Sequence, residues 1–164
     1  NPQPLHTDGS YIPSFPNSSL IYCQASASIG GETVFIDLED VINILKEDNP
    51  KLLEKVVSKN VSHQRSGDER ISKIITTDDK NLKVHWNYYC ISKSSSSDVK
   101  EMCEEFFNFL NNNDKIKNKL IPVNLKPGDC VFWKDDETLH GRNGYKANST
   151  SERFLWKTAL EIMN

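Results

Sequence analysis

Near the start of the chain a histidine and an aspartate stand two positions apart, His6 and Asp8 in the stretch PLHTDGSY. Side chains two apart in an extended segment project from the same face, so this imidazole and carboxylate can meet at one ion. Taken alone, such a triplet fits a surface turn as readily. The chain has four histidines, and His140, at the far end in GDCVFWKDDETLHGR, also follows a strand-like run and a turn. Two imidazoles and one carboxylate on one side of an ion form the facial triad of non-haem Fe(II) sites, which leaves positions open for substrate and oxygen. Zinc takes the same ligands with water in a fourth position, so ligand type leaves both metals open. Arg153, in the apolar run RFLWKTAL, adds a planar fork suited to a carboxylate at the end of a pocket.

Further residues are candidates to meet or support a small polar substrate. Ser10 and Tyr11 follow the triplet, and His63 and Arg65 lie in a polar stretch. Asn87 follows Trp86 in a run read as a strand facing the cavity. His85 alternates with Trp86 and is expected on the other face, packed or at the surface.

The elements that must position these groups read as strands at both ends with helices between. SLIYCQASAS and ETVFIDL are strand-like and are joined by Ile29-Gly30-Gly31. Val41, Ile42 and Leu45, then Leu52, Leu53 and Val56, recur at helical spacing around Pro50, predicting two short helices with a break. Residues 60–70 lose the pattern and read as a mobile loop. ISKIITTDDKNLKVHWNYYCIS reads as two strands around an Asp-Asp-Lys-Asn turn. Asp98 with Glu101 resembles a capping box for a helix over 99–112, which turns Met102, Cys103, Phe106, Phe109 and Leu110 to a core. The last third gives three more strands around a Pro-Gly turn and a second turn. The economical architecture is mainly β: two antiparallel sheets closed as a jelly roll, a cupin-like double-stranded β-helix with flanking α-helices.

At 164 residues the chain is one domain, long enough to bury about 70% of its unfolded surface. With 37% apolar and 26% charged residues and a net charge of −3 it carries no footprint for nucleic acid or an anionic membrane. Its apolar runs are strand-sized, short of a membrane span. Cys23, Cys90, Cys103 and Cys130 are scattered singly and read as reduced core thiols, which fits a cytoplasmic setting. Sequons at Asn17, Asn60 and Asn148 arise easily in an Asn- and Ser-rich chain.

HTDGSY with GGETVFID, then PGDCVFW with LHGR and RFLWK, resembles the Fe(II)/2-oxoglutarate-dependent oxygenases of the taurine dioxygenase and clavaminate synthase-like superfamily, in order along nearly the whole chain. The resemblance implies that His6, Asp8 and His140 bind Fe(II) and that Arg153 anchors the distal carboxylate of 2-oxoglutarate. It implies that Thr33 assists that cosubstrate, and that Arg142 supports the site or meets the substrate. Lys157 stands where many relatives carry a second arginine, and Asp135-Asp136 where they often have Asp-Asn. Asp8 itself favours hydroxylation or a related oxidation over halogenation, because halogenating relatives carry a small residue there. The implied reaction takes up O2, oxidises an unactivated carbon of a small polar, amino-acid-like molecule, and releases succinate and CO2. A jelly-roll binding or structural protein that keeps the triad without turnover, and a zinc hydrolase, are the competing readings. Relatives place a considerable segment before this triplet. The 164 residues are therefore expected to be a catalytic core whose N-terminal segment is missing or supplied elsewhere, as in a homo-oligomer, with apolar edge strands exposed.

Overall fold

The structure is a computed structural model that describes residues 1–78, 81–146 and 152–163. The Asn148 sequon and the tip of the Asp-Asp-Lys-Asn turn lie outside them. Strand β1 (Gln3–His6) opens the chain, followed by β2 (Ser18–Ala25), the short β3 (Ile29–Gly30) and β4 (Thr33–Asp37). Two helices follow, α1 (Leu38–Asp48) and α2 (Pro50–Ser58). The break between them is chemical. Pro50 lacks an amide hydrogen and is tolerated only in a first helical turn, while the Asn49 side chain accepts the Leu52 amide at 3.1 Å. Strands β5 (Asn60–Arg65), β6 (Asp68–Lys73), β7 (Ile75–Asp78) and β8 (Asn81–Val84) come next, then a 3-10 turn (Tyr88–Cys90) and helices α3 (Ser97–Asn112) and α4 (Asp114–Lys119). The chain closes with β9 (Ile121–Val123), β10 (Cys130–Lys134), β11 (Thr138–Arg142), the short β12 (Tyr145–Lys146) and β13 (Phe154–Leu160).

Every strand pair is antiparallel, and the two main sheets have the orders β1-β11-β4-β9 and β10-β2-β13. Strand β4 is buried on both faces, which explains its unbroken run of Thr33, Val34, Phe35 and Ile36. Val34 and Ile36 join Leu5 and Leu139 in a large cluster with Val41, Leu45, Leu52, Met102 and Phe106 of the helices. Phe35 faces the other way and packs with Ile21, Cys23, Leu125 and Trp133 between the two sheets. Helices therefore cover one face of the four-stranded sheet, and its other face closes against the three-stranded sheet. This is the mainly β, jelly-roll arrangement with flanking helices. Among the described residues no helix is long and apolar enough to cross a membrane.

Several local expectations are corrected. Residues 60–65 and 68–73 pair as a hairpin instead of forming a loop, closed by Ser66 and Gly67, which both have positive φ. Helix α3 starts at Ser97, and Asp98 is not its cap: the Asp98 carboxylate takes the hydroxyl of Ser96, the N-cap residue, and the ammonium of Lys59 at 2.6 Å. The chain leaves strand conformation after Val84, so Trp86 turns into the core against Phe106. Asn87 accepts the Tyr89 amide at 3.1 Å and opens the 3-10 turn. Cys130 is exposed, unlike the other three thiols. The outer face of the three-stranded sheet carries exposed Tyr22, Phe132, Phe154 and Trp156.

Candidate metal centre

His6 ends β1 directly across from His140 in β11, so both imidazoles leave the same sheet face, with ring centroids 4.3 Å apart. That face looks into the space between the sheets, where Trp133 lies 4.9 Å from the His140 ring. The chain then bends. Thr7 donates its amide to the Trp86 carbonyl at 2.7 Å, and its hydroxyl accepts the Trp86 amide at 2.9 Å. Asp8 donates its amide to Asp135 Oδ2 at 2.8 Å. Its carboxylate is thereby held 3.8 Å from His6 Nε2 and 3.7 Å from His140 Nε2. One ligand atom from each of His6, Asp8 and His140 lies within 4.8 Å of the others.

The electrostatics suit a cation. His6 donates from Nδ1 to the Pro4 carbonyl at 2.9 Å, which turns the Nε2 lone pair toward Asp8. Burial, then the neighbouring His140, push its pKa down to about 4, so the ring is neutral near pH 7. Burial works to raise the Asp8 pKa, but the attraction of His140 and of the Lys157 ammonium, which also hydrogen-bonds it, outweighs this and holds the carboxyl below its usual range. Behind His140, Asp135 Oδ1 lies 3.3 Å from Nδ1 and is itself fixed by the Trp133 indole at 2.9 Å. A carboxylate behind a ligating histidine sets its tautomer and orientation. Sequence reading missed Asp135 at that position, where its carboxylate approaches Nδ1 without making a hydrogen bond. Asp136, where relatives often carry Asn, turns instead to Lys83 at 2.7 Å. Two imidazoles and a carboxylate, converging from one side, are a donor set that fits Fe(II) or Zn(II).

His140 also lines a cavity of about 190 Å³ together with Thr33, Arg142, Arg153 and Lys157. Thr33 is buried at the start of β4, opposite Arg142 of β11. Arg153 lies just before β13, donates to the Gly31 carbonyl at 3.2 Å and rests 5.5 Å from the Tyr145 ring, which Arg142 approaches to 5.2 Å. Among the described residues neither guanidinium meets a carboxylate. Lys157, left without a role by the sequence, ion-pairs with Asp8 and lies 3.3 Å from His140 Nε2.

The expected substrate residues divide. Ser10 is buried, and Tyr11 lies under Arg65 at 5.9 Å. His63 does not line these cavities: it is fully buried against Trp86 with both ring nitrogens unpartnered. Asn87 is engaged as a cap. His85, expected to be packed or at the surface, instead accepts Arg70 at 2.8 Å on the wall of a second cavity that Asp8 also lines.

A family model, Taurine catabolism dioxygenase TauD, TfdA family, matches residues 1–159. The chain belongs to this family. Among its TauD/TfdA relatives, gamma-butyrobetaine dioxygenase of Homo sapiens is 26% identical over 166 residues, covering 92% of this chain and 42% of the relative. The structure of asparagine oxygenase with Fe(II), 2S,3S-3-hydroxyasparagine and succinate superposes with a TM-score of 0.77 at 12% identity, covering 96% of this chain and 49% of that one. The non-haem iron oxygenase OrfP in complex with Fe and alpha-ketoglutaric acid gives 0.67 at 11% identity, covering 96% and 48%. These two structures show the shared fold. The chain spans about half the length of the relatives it matches.

Proposed function

We propose that this chain is the metal-holding core of a non-haem Fe(II)- and 2-oxoglutarate-dependent dioxygenase that oxidises an unactivated carbon of a small polar, amino-acid-like substrate, releasing succinate and CO2. The observation that carries the reading is the convergence of the His6, Asp8 and His140 donors on one another, with His140 also lining a cavity that holds Thr33 and two carboxylate-free arginines. TauD/TfdA membership supports it, as do relatives whose names include gamma-butyrobetaine dioxygenase and asparagine oxygenase.

In this reading His6 and His140 offer their Nε2 atoms, Asp8 offers its carboxylate, and Asp135 stands behind the His140 ring. When bound, iron would let O2 act as the four-electron oxidant that no amino-acid side chain can provide, two electrons coming from 2-oxoglutarate as it becomes succinate and CO2 and two from the substrate carbon. The Arg153 fork would take the distal carboxylate of 2-oxoglutarate, with the Thr33 hydroxyl beside it and Arg142 as a second cation on the same wall. Leu155 and Ile21, on the same cavity, keep its sides apolar and limit water. A cytoplasmic setting belongs to the same proposal, supported by four free thiols.

The test is succinate formation from 2-oxoglutarate with added Fe(II) and ascorbate, over a panel that includes gamma-butyrobetaine, L-asparagine and L-arginine, with product mass read in parallel. Wild-type protein should form succinate with at least one of them, and His140→Ala should lose it by about 100-fold or more, as removal of a metal ligand does. Activity supported by Zn(II) and indifferent to 2-oxoglutarate would overturn the reading.

A further inference from the structure

Two of the three donors open onto different cavities. His140 lines the one that holds Thr33 and Arg153, whereas Asp8 lines a larger, polar one of about 770 Å³ onto which Arg70, His85, Lys83 and Asp136 also open. Most charges of the larger cavity are already matched. Lys83 holds Asp136 at 2.7 Å and Glu137 at 3.1 Å. Asp135 accepts the Trp133 indole and the Asp8 amide, and Glu161 accepts the Asn17 amide at 3.2 Å.

Arg70 is the exception. It is half-buried on β6, and its Nη2 donates to His85 Nε2 at 2.8 Å. Among the described residues it meets no carboxylate. Its neighbour does not neutralise it: burial, then the Arg70 charge, push the His85 pKa down to about 4, so the imidazole is neutral and acts as an acceptor. A half-buried guanidinium without an anion is costly unless a ligand supplies one. Arg70, His85, Asp135 and the metal donor Asp8 all line this one cavity.

We propose that Arg70, oriented by His85, is the carboxylate-recognition group of the substrate cavity, so that the molecule oxidised is an organic acid held by its anionic end with its carbon chain extending toward Asp8. This inference rests on the dioxygenase reading. It assigns the carboxylate to substrate and not to 2-oxoglutarate, because Arg70 does not line the cavity of Thr33 and Arg153. An ammonium group finds the cavity's acidic side chains already taken by donors.

The test uses the full chain loaded with Mn2+, which is inert to turnover here, and saturating 2-oxoglutarate. Gamma-butyrobetaine, L-asparagine and L-arginine are titrated beside their methyl esters by calorimetry or ligand-observed NMR. At least one acid should bind about tenfold more tightly than its ester, in line with a hydrogen-bonded charge pair. Arg70→Gln should weaken that acid about tenfold and erase the preference over the ester, and Arg70→Lys should fall between. Melting temperature should not fall below the wild-type value, and affinities for Mn2+ and 2-oxoglutarate should stay at wild-type values, in both variants. Equal binding of acid and ester, an Arg70→Gln variant that binds like wild type, or a panel in which no acid binds would each overturn the proposal. Failure of the wild-type chain to take up Mn2+ and 2-oxoglutarate would overturn the dioxygenase reading, and this inference with it. The other outcomes bear on Arg70 alone.

Discussion

Lys157 stands on β13 where the family resemblance leads one to expect an arginine, and its ammonium faces the same Asp8 carboxylate and His140 Nε2 that would hold a metal. It also lies 5.4 Å from the Trp133 ring, which helps to keep it there. A unit charge about 4 Å from another is worth on the order of 4 kcal/mol at an effective dielectric of 20, before relaxation. A fixed cation beside the donors therefore opposes a divalent ion. Lys157→Met, which keeps the length and removes the charge, should tighten Co2+ or Mn2+ binding roughly tenfold in a direct titration. Equal or weaker metal binding would show that the ammonium moves aside at no cost. His6, Asp8 and His140 could be named as a candidate donor set from residue type and order, and the folded chain brings their ligand atoms within 4.8 Å of one another, whereas the role expected of Arg153 came from the family resemblance. Asp135 could not be named, because its position behind His140 comes from a turn that packs there only in the folded chain.

Elements decide how well those residues are held, and the turn after β1 is the clearest case. Gly9, directly after Asp8, has φ +53, and a Cβ there would stand 2.1 Å from Cγ of Phe15. Gly67, in the β5–β6 turn, has φ +95 with nothing within 4 Å of that position. Gly67→Ala should therefore cost only the conformational term, about 1 kcal/mol in urea unfolding, and leave metal affinity unchanged. Gly9→Ala adds a collision with a packed ring, should cost roughly 2 to 4 kcal/mol, and should weaken metal binding because Asp8 is displaced. Equal behaviour of the two variants would mean that the Asp8 turn tolerates rearrangement. The helices around Pro50 were legible because their apolar residues follow the helical period, and the strand runs near β2, β4 and β10 because they are short and rich in β-branched and aromatic residues between turns. The β5–β6 hairpin was not, since only Val61 and His63 of its first strand point inward. The readable signal was Ser66-Gly67, a turn pair that the surrounding polar residues concealed. The His85–Arg70 pair was hidden by the same kind of error, as strand alternation was carried past Val84, where the strand ends.

At the scale of the whole molecule, the two apolar clusters enclose histidines that fold as neutral groups. His63 sits fully buried on the inner side of the hairpin, beside Trp86, with neither ring nitrogen partnered. Burial, then the charge of Arg70, push its pKa down from 6.5 to about 4. The unfolded chain takes up that proton below about pH 6.5 and the folded one only near pH 4, so unfolding binds protons in this window and stability rises with pH. The contribution is intact above pH 6.5 and is lost as pH falls toward 4. At pH 4.5 it amounts to roughly 2 to 3 kcal/mol from this residue. Carboxylates with depressed pKa values act in a lower window, because Asp98, for example, is held at about 2. Urea-unfolding free energy should therefore fall between pH 7 and pH 4.5, and His63→Leu should remove that share of the slope. The variant should keep wild-type stability or gain slightly at pH 7, since it replaces an unpartnered polar ring by an apolar group of similar size. An unchanged slope in His63→Leu would mean that the hairpin opens to let His63 reach water before the rest of the sandwich unfolds, and amide exchange confined to residues 60–73 would reveal that opening.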